Sequence, residues 1–438
     1  MNITILGGGS AYTPGLIEAL IRLKERVPVD KLVLMDVDKR KLDIVGELVV
    51  AMMNKKSPGT TVALTTDRRE SLAGADFVLC QIRVGGLAAR HLDERIPMKY
   101  GVIGQETTGP GGFAMALRTI PVMVDVARDM EELCPEAWLI NYTNPTGMVE
   151  GGIKARSGIR VLSICDIPAA ISYLVAQVQR VPVNSLRLDY VGLNHLGWVR
   201  RILHGGTDIL PRLLSMAKLL NGIPQQLISS GVVGVSQKDV NEILKVLRLA
   251  EGLGVLPSPY LQYYYLTDEI VKEQSRLSKT RAEEVMEIEE ELLSHYAAVS
   301  KEHDPDLWKH RGGDWHADMM VSVLSAIAND TQEEFVVNVP NGNSIRGMDP
   351  GAIVEIPCKL GRQGATPLPV DEPEPWMLGL MQVVSQYERL TIEAALEGSQ
   401  RKALLALITH PLVPSIPTAE RILKDYLEAH REFLPQFK

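Results

Sequence analysis

A cysteine and a histidine stand where two predicted strands end. Cys165 closes a short apolar run, and His195 follows the tripeptide Gly192-Leu193-Asn194. A thiolate and an imidazole both bind divalent metal ions, and a site with two protein ligands leaves coordination positions for substrate oxygens. Taken separately, such a cysteine is more often a buried hydrophobe and such a histidine a hydrogen-bonded residue. Spacing alone therefore indicates a catalytic metal only weakly.

Four segments concentrate glycine, amide and acidic residues. They span 104–112 (GQETTGPGG), 141–145 (NYTNP), 165–168 (CDIP) and 192–195 (GLNH). Open parallel sheets bind ligands outside the carboxyl ends of their strands. Because these segments are predicted to lie near such ends, we expect them to meet in one crevice.

A glycine turn follows the first predicted strand. Gly7, Gly8, Gly9 and Ser10 precede a predicted helix, so backbone amides and the helix N-terminus can approach a pyrophosphate. Read as GxGxxG, the turn has Tyr12 at the third glycine position, which leaves an ordinary glycine turn as the alternative. The order of strand, turn and helix favours dinucleotide binding.

Asp36, at the end of the second predicted strand, bears on which dinucleotide binds. Its carboxylate can accept both ribose hydroxyls of NAD and would repel the 2′-phosphate of NADP. Lys39 and Arg40 could instead hold that phosphate, and Asp36 could be a turn or helix-capping residue. The carboxylate favours NAD.

The first half of the chain alternates short apolar strands with amphipathic helices. Strands are predicted at 3–6, 32–35, 77–81, 137–140 and 161–164, with helices at 14–26 and 117–133. This alternation is typical of a parallel sheet covered on both faces. We therefore predict an α/β fold whose N-terminal part is a doubly wound Rossmann-type sheet, as in lactate and malate dehydrogenases.

The second half mixes strands and long helices. Strands are predicted at 186–191, 199–203, 335–339 and 353–356, and helices at 281–296, 378–397 and 418–433, the last with Thr418 as its N-cap. The proline-rich stretch 367–375 is predicted to be an ordered surface loop. We predict an NAD-binding Rossmann-like domain at 1–185 and an α+β domain at 186–438 for substrate, metal and oligomerisation.

Composition excludes several classes of protein. The chain has 438 residues, enough for two or three domains, and its 45% hydrophobic residues are typical of a globular protein. A net charge of −8 argues against a nucleic-acid partner. Four cysteines without a CxxC pair favour the cytoplasm. We also expect no membrane association, since the N-terminus is unlike a signal peptide and no apolar run reaches about 20 residues.

The chain resembles the NAD- and metal-dependent glycoside hydrolases of family four, especially the bacterial 6-phospho-glucosidases. The similarity covers nearly the whole sequence. It rests, in chain order, on the strings GGGS, IGQETTGPGG, NYTNP, CDIP, GLNHLGW, PSPYLQYYY, TRAEEVMEIE, EIPC and HPLVPS. Such NAD-dependent enzymes are an exception to the two-carboxylate mechanism of glycoside hydrolysis.

The resemblance implies a redox route to glycoside cleavage. NAD takes hydride from C3 of the sugar, a base removes the acidified proton at C2, and the glycosidic oxygen leaves by elimination. Water then adds to the enone and NADH returns the hydride, so the cofactor is recycled. A divalent ion stabilises the negative charge at C2 and C3. In the family this ion is usually Mn²⁺, and zinc or cobalt are alternatives.

The resemblance also implies roles for single residues. Cys165 and His195 correspond to the metal ligands. Tyr260 corresponds to the base at C2, and Asn144 to a residue that binds sugar hydroxyls. Asp166 matches the leaving-group acid of members with Cys-Asp, a form that accompanies 6-phospho-α-glucosidases. Much of the remaining chain is more similar to 6-phospho-β-glucosidases, so both anomers are expected as candidates.

Two arginines correspond to the residues that bind the C6 phosphate of the substrate. These are Arg90 and Arg281, and a guanidinium group suits such an anion. The turn at 338–343 departs from the family pattern. A sulfonate at C6, as in sulfoquinovosides, is therefore the alternative to a phosphate.

Two other functions are compatible with the predicted fold. One is an NAD-dependent dehydrogenase of the 2-hydroxy-acid type, and the other is a non-catalytic NAD-sensing module. The leading hypothesis is a cytoplasmic hydrolase of 6-phospho-glucosides, the C6-phosphorylated disaccharides that a sugar phosphotransferase system delivers. We expect it to form a homodimer or homotetramer, because its second domain carries apolar helices.

Overall fold

The computed structural model describes residues 1–220, 237–302 and 314–437. The thirteen strands of these residues belong to one sheet. The strands are β1 (Asn2–Leu6), β2 (Lys31–Met35), β3 (Thr61–Thr65), β4 (Phe77–Cys80), β5 (Trp138–Asn141), β6 (Arg160–Ser163), β7 (Leu186–Leu193), β8 (Leu196–His204), β9 (Thr207–Asp208), β10 (Leu256–Pro257), β11 (Glu333–Pro340), β12 (Ile353–Gly361) and β13 (Gly364–Pro367).

Helices pack around this sheet. They are α1 (Thr13–Arg22), α2 (Lys39–Lys56), α3 (Arg68–Leu72), α4 (Gly86–Met98), α5 (Gly109–Leu133), α6 (Thr146–Lys154), α7 (Ile167–Gln179), α8 (Leu210–Leu220), α9 (Gln237–Leu253), α10 (Gln262–Tyr265), α11 (Thr267–Gln274), α12 (Arg281–Glu302), α13 (Asp314–Asn329), α14 (Pro375–Glu397), α15 (Gln400–Thr409) and α16 (Ile416–Ala429). Within the three described ranges, none of the helices has the length and apolar character needed to cross a bilayer.

Strands β1 to β6 form the parallel half of the sheet, in the spatial order β3-β2-β1-β4-β5-β6. This order is typical of dinucleotide-binding folds and confirms the predicted doubly wound arrangement. Ile3 and Ile5 on β1 are fully buried, as expected for a strand covered on both faces. Strand β3 is not among the predicted strands, and its residues at the sheet edge are all at least partly exposed.

Three predicted helix starts are wrong. Helix α14 begins at Pro375, three residues before its predicted start. Helix α5 begins at Gly109, well before the predicted start, because Pro110 is favourable in a first helical turn. Helix α16 begins at Ile416, and its N-cap is Ser415 instead of Thr418. The Ser415 hydroxyl accepts a hydrogen bond from the Thr418 amide, which is the usual capping geometry.

Strands β7 to β13 extend the same sheet. Strand β11 lies antiparallel to β6 through the single pair Asn338–Ser163, and β12 lies antiparallel to β7 through the single pair Glu355–Gly192. Strands β7 and β8 form a hairpin. The sheet thus changes from parallel to antiparallel beside β6. The predicted domain boundary after residue 185 stays a prediction.

A buried ion cluster ties the C-terminal helix to the parallel half. Both terminal nitrogens of Arg118 on α5 donate to the Asp93 carboxylate on α4 at 2.7 Å. The ring nitrogen Nε2 of His430 lies 2.9 Å from the same carboxylate, and the Tyr426 hydroxyl donates to the Asp93 carbonyl oxygen at 2.7 Å. Because an unpaired buried charge is costly, the cluster holds α4, α5 and α16 in one arrangement.

Replacing Asp93 by Asn should destabilise the protein strongly. The variant leaves the Arg118 guanidinium buried without its counter-charge, and we expect the free energy of unfolding to fall by about 3–5 kcal/mol. Urea unfolding followed by circular dichroism measures the loss. Asp43→Asn is the control, since Asp43 pairs with Lys39 on an exposed helix face and such pairs contribute about 0–1 kcal/mol. Equal losses in both variants would contradict the role of the cluster.

Candidate active site

Three side chains singled out from the sequence lie together at the carboxyl end of the parallel strands. Cys165 lies two residues beyond β6 and is buried. His195 is in the two-residue turn between β7 and β8. The Tyr260 ring stacks on the His195 imidazole, with centroids 3.9 Å apart and planes 8° apart. Cys165 is close enough to Tyr260 for their charges to interact, so one crevice contains all three.

The hairpin turn gives His195 an uncommon backbone conformation. Its φ is 63°, in the left-handed region. Histidine is among the residues that enter this region more readily, and positive φ at the second central residue alone is typical of a type II turn. Residues held in such conformations cluster at functional sites. The turn thus presents the imidazole at the end of the hairpin.

Burial sets the protonation states of the two candidate metal ligands. The pKa of the Cys165 thiol is raised well above its usual value, first by burial and then by the negative charges of Glu355 and Asp166. Burial lowers the pKa of His195 to about 4. The imidazole is therefore neutral, which is the form that binds metals. The thiol needs an adjacent cation to lose its proton.

Two buried polar atoms in the crevice are consistent with a bound metal and substrate. Among the described residues, His195 Nδ1 and Asn144 Oδ1 have no hydrogen-bond partner, although buried acceptors in native proteins are nearly always paired. The part of the chain that the structure describes contains no group of three or more His, Cys, Asp or Glu side chains arranged to hold a metal. The donor set of Cys165 and His195 therefore fits an ion whose remaining ligands are substrate or water oxygens.

The surroundings of Tyr260 oppose its ionisation. Desolvation raises the pKa of its phenol well above the usual value, and the negative charges of Cys165 and Glu106 raise it further. Burial lowers the pKa of the nearby Arg90 guanidinium, and the Glu106 and Glu94 carboxylates raise it above its usual value, with a smaller contribution from the Tyr260 charge. A general base at this position thus needs positive charge beyond that of Arg90.

Asp166 and Asn144 also lie at this edge of the sheet. Asp166 precedes α7, and its carboxylate forms a hydrogen bond with the Tyr142 hydroxyl. The Cys165 sulfur lies 3.7 Å from Asp166 Oδ1. Asn144 follows β5 and precedes Pro145 through a cis peptide bond. The segments 141–145 and 165–168 therefore meet, as expected.

The two arginines assigned to the C6 phosphate differ in their surroundings. Arg90 on α4 is mostly buried and pairs with Glu94 at 2.7 Å and Glu106 at 3.0 Å. Arg281 is half exposed and pairs with a glutamate on its own helix, α12. The two helices meet where the Ala282 amide donates to the Glu94 carboxylate at 3.0 Å. The backbone brings both arginines to one region, and Arg90 already has two carboxylate partners there.

The glycine turn packs too tightly for side chains. Gly7 has a φ of 86°, and a Cβ at Gly8 would lie 2.8 Å from a β2 side chain. A Cβ at Gly9 would lie 3.0 Å from the Asp36 carboxylate, which accepts a hydrogen bond from the Gly9 amide at 3.0 Å. The Ser10 hydroxyl accepts a hydrogen bond from the amide two residues later. This bare backbone before α1 fits the approach of a pyrophosphate.

The alternative partners of a 2′-phosphate are engaged elsewhere. Lys39 pairs with Asp43 at 2.7 Å, and Arg40 pairs with Glu290 on α12. Asp36 stands next to the turn, where its carboxylate would repel an extra phosphate. These contacts favour NAD over NADP.

Several residues of the crevice were not singled out from the sequence. Glu106 pairs with both Arg83 and Arg90, and Glu355 lies fully buried in β12. A carboxylate within the apolar string IVEIPC is the sequence signal for Glu355. The sequence around Glu106 and the sequence around Glu355 do not reveal the partners of these glutamates, because the partners come from other parts of the chain.

Glu150 on α6 is another buried carboxyl group beside the site. Its Oε2 accepts a hydrogen bond from the Ser163 amide of β6 at 2.8 Å, and Lys154 lies 3.7 Å away. Burial raises the pKa of Glu150 to about 7. The group therefore changes its charge near neutral pH in the folded protein.

The family model described as Family 4 glycosyl hydrolase matches residues 2–181, and that described as Family 4 glycosyl hydrolase C-terminal domain matches residues 190–413. The chain is also similar to the "Probable 6-phospho-beta-glucosidase" of Bacillus subtilis (strain 168). The identity is 38% over 443 residues, and the alignment covers 100% of this chain and 98% of that protein.

Solved structures extend the comparison. A 6-phospho-alpha-glucosidase from gut microorganisms, in complex with NAD and Mn²⁺, has 32% identity and a TM-score of 0.92, covering 100% of this chain and 99% of that one. The 6-phospho-beta glucosidase from Thermotoga maritima, with manganese, NAD⁺ and glucose-6-phosphate, has 29% identity and a TM-score of 0.86, covering 99% of each chain. A deep-sea metagenome lactate dehydrogenase, 13% identical with a TM-score of 0.53, shares the fold alone. The predicted dehydrogenase-like fold is thus confirmed.

A methyl group at Gly9 should impair dinucleotide binding. In Gly9→Ala the Cβ would meet the Leu42 amide at 2.9 Å, so the turn must shift away from its present position. We expect the affinity for NAD⁺ to fall at least about tenfold, or ~1.4 kcal/mol, in a calorimetric titration. Gly379→Ala in α14 is the control, because its Cβ would contact nothing within 4 Å. Unchanged NAD⁺ affinity in Gly9→Ala would place the nucleotide elsewhere.

The stability difference between Glu150→Gln and the wild type should depend on pH. Glu150 ordinarily titrates near 4.5, and in the folded protein its pKa is about 7. Between these values the folded state binds more protons than the unfolded chain, so the wild type loses stability as pH rises. The full shift corresponds to about 3 kcal/mol. Urea unfolding from pH 5 to 8 should show Glu150→Gln gaining relative to the wild type, and a pH-independent difference would contradict the shift.

Proposed function

The chain belongs to family 4 of the glycosyl hydrolases, and we propose that it hydrolyses 6-phospho-glucosides with the aid of NAD and a divalent metal, Mn²⁺ in the first place. The observation that carries the proposal is the stacking of Tyr260 on His195 beside Cys165. One crevice thereby holds a candidate base and both candidate metal ligands. Relatives with NAD, manganese and glucose-6-phosphate in their structures support the cofactors and the substrate class.

The residues of the crevice divide the chemistry among them. When bound, NAD supplies a reversible oxidation at a sugar carbon, and the metal ion supplies Lewis acidity beside it. Cys165 and His195 would hold the ion, and the neutral imidazole could do so without losing a proton. Tyr260 removes the proton at C2, and Asp166 protonates the departing glycosidic oxygen. This division assigns proton removal and proton delivery to two different side chains.

Charge in the crevice explains why a metal is needed for this chemistry. Desolvation and neighbouring acids hold the pKa values of Cys165 and Tyr260 high. A bound divalent cation reverses that effect, since it favours the ionised form of a coordinating thiol and of a nearby phenol. Arg90 adds a fixed positive charge on the same side. The protein therefore activates its base only when the site is loaded.

Substrate recognition is proposed to depend on amide and guanidinium groups. The unpartnered Oδ1 of Asn144 is available to a sugar hydroxyl. Arg90 and Arg281 are proposed to bind the C6 phosphate, supported by the meeting of their helices at Glu94. Because Arg90 is held by Glu94 and Glu106, its guanidinium is oriented before substrate arrives. Such preorganisation lowers the entropic cost of binding.

The proposal covers both anomers. The relative at 38% identity bears the name "Probable 6-phospho-beta-glucosidase", and the structure at 32% identity is that of a 6-phospho-alpha-glucosidase. Bond cleavage by elimination is activated from C3 of the sugar. The configuration at C1 therefore matters less than it does in direct displacement at that carbon.

We also propose a cytoplasmic location and a homodimer or homotetramer. All four cysteines are free and buried, which suits a reducing compartment. Tyr173, Leu174 and Val178 on α7 are exposed apolar side chains, and such patches are typical of interfaces. Sedimentation equilibrium of the purified chain tests the assembly, and a monomer at micromolar concentration would exclude it.

Net turnover distinguishes the hydrolase from other NAD-binding proteins. The protein with NAD⁺, Mn²⁺ and a reductant should release p-nitrophenol from α- or β-p-nitrophenyl glucoside 6-phosphate without accumulating NADH. The unphosphorylated glucosides and a sulfoquinovoside serve as controls for recognition at C6. A dehydrogenase would accumulate NADH in proportion to substrate. An NAD sensor would bind the nucleotide and cleave none of these compounds.

The base is tested by hydrogen exchange at C2. Tyr260→Phe keeps the ring that stacks on His195 and removes the hydroxyl, so exchange of the C2 hydrogen with solvent deuterium should slow at least about a hundredfold. Proton NMR of the sugar measures the exchange. Tyr265→Phe is the control in the same segment, because Tyr265 is exposed. Normal exchange in Tyr260→Phe would remove Tyr260 from the role.

A further inference from the structure

A row of buried polar side chains crosses the sheet where its parallel and antiparallel halves meet. It consists of Asn141 on β5, Ser163 on β6, Asn338 on β11 and Glu355 on β12, and we call it the polar row. Neighbouring members are register partners in the sheet. Each is at most 1% exposed. Buried polar groups are nearly always hydrogen-bonded. Each member of the row makes at least one such bond, although Asn338 Oδ1 has no partner, and these bonds constrain the strands that carry them.

Hydrogen bonds run along the polar row from end to end. Asn141 Nδ2 donates to Ser163 Oγ at 3.0 Å, and Asn338 Nδ2 donates to the Ser163 carbonyl oxygen at 3.2 Å. Asn338 Nδ2 also lies 3.4 Å from Glu355 Oε1. The row thus reaches from the parallel half to the first antiparallel strands.

Glu355 carries the connection onto β7. Its carboxylate accepts hydrogen bonds from the Tyr190 hydroxyl at 2.7 Å and from Asn194 Nδ2 at 3.4 Å. These donors lie two residues before and two residues after Gly192, the register partner of Glu355. Burial raises the pKa of Glu355 to about 7, and in its ionised form Glu355 makes stronger hydrogen bonds than a neutral acceptor would.

The hydrogen-bonded connection from Ser163 to Asn194 has a candidate metal ligand close to each end. Cys165 is two residues after Ser163, and His195 follows Asn194. Backbone pairing restrains the strands only weakly where the parallel and antiparallel halves meet. Strand β6 pairs with β11 through one residue pair, and β12 pairs with β7 through one residue pair. The side chains of the polar row therefore supply the restraint that longer ladders would otherwise provide.

We infer that Glu355 is a positioning residue that sets the separation of Cys165 and His195, and so the affinity of the site for its metal. The inference rests on the proposed function, since it presumes that these two residues bind the ion. Glu355 touches neither substrate nor cofactor in this role. Through Asn338 on β11, Glu355 restrains β6, the strand that leads to Cys165. Through Asn194, it restrains the turn that carries His195.

The test is a Mn²⁺ titration of the full chain, followed by the loss of the free-ion electron paramagnetic resonance signal. Glu355→Gln keeps the shape of the side chain, replaces an acceptor oxygen by an amide donor, and removes the negative charge that acts on Cys165. Tyr190→Phe keeps the carboxylate and removes one of its hydrogen bonds, so a loss of Mn²⁺ affinity in both variants identifies positioning and not charge as the cause. We expect Mn²⁺ affinity to fall about ten- to a hundredfold, as for other residues that support metal ligands, with NAD⁺ affinity unchanged. Mn²⁺ affinity equal to that of the wild type would overturn the inference.

Glu150→Gln is the matched control. Glu150 is equally buried and bonds to the Ser163 amide, yet it has no contact with β7 or its turn among the hydrogen bonds of the described residues. We expect Mn²⁺ affinity to be retained in Glu150→Gln. A loss as large as that in Glu355→Gln would overturn the inference, because it would show general loosening of β6.

Two further variants complete the design. If Glu355→Gln does not fold, Tyr190→Phe removes only the 2.7 Å hydrogen bond to the carboxylate. It should weaken Mn²⁺ binding in the same direction, and unchanged binding would overturn the inference. Cys165→Ser separates this result from the proposed function. If Cys165→Ser binds Mn²⁺ as well as the wild type does, or if neither binds it, both proposals fail. If Cys165→Ser loses Mn²⁺ binding but Glu355→Gln keeps it, only the positioning role is rejected.

Discussion

The structure depends on bringing a parallel strand and an antiparallel hairpin to one point. Strand β6 leads to Cys165, and the hairpin of β7 and β8 presents His195. Strands β12 and β11 lie between them and are joined to them by one residue pair on each side. Few backbone hydrogen bonds therefore hold the two halves in register at the crevice. Buried side chains must do so instead, which explains polar residues in an otherwise apolar sheet.

Desolvation is the second determinant of the site. It keeps the His195 imidazole neutral and the Cys165 thiol and Tyr260 phenol protonated. The same burial strengthens any attraction to a bound cation, because charges interact more strongly away from water. Without a metal ion the crevice disfavours the Cys165 thiolate and the Tyr260 phenolate, and a bound divalent ion would favour both. Metal binding and activation of the base are in this way coupled through one electrostatic environment.

The helices and strands were the most predictable features, and their exceptions have physical causes. Apolar runs covered on both faces predict β1, β2, β4, β5 and β6 to within two residues at either end, since burial on both sides leaves a continuous hydrophobic signal. The edge strand β3 lacks that signal because it is partly exposed. The start of α16 was misjudged because serine and threonine can both cap a helix, and Ser415 does so here.

The sequence by itself determined the residue types that can do chemistry, their order along the chain, and the family. Cys165, His195, Tyr260 and Asp166 could be singled out from short strings, because local order is preserved in sequence. Only the tertiary structure decided the stacking of Tyr260 on His195, the carboxylate partners of Arg90 and the polar row that ends at Glu355. These contacts join residues far apart in the chain, and their energies come from burial and register, which no local pattern encodes.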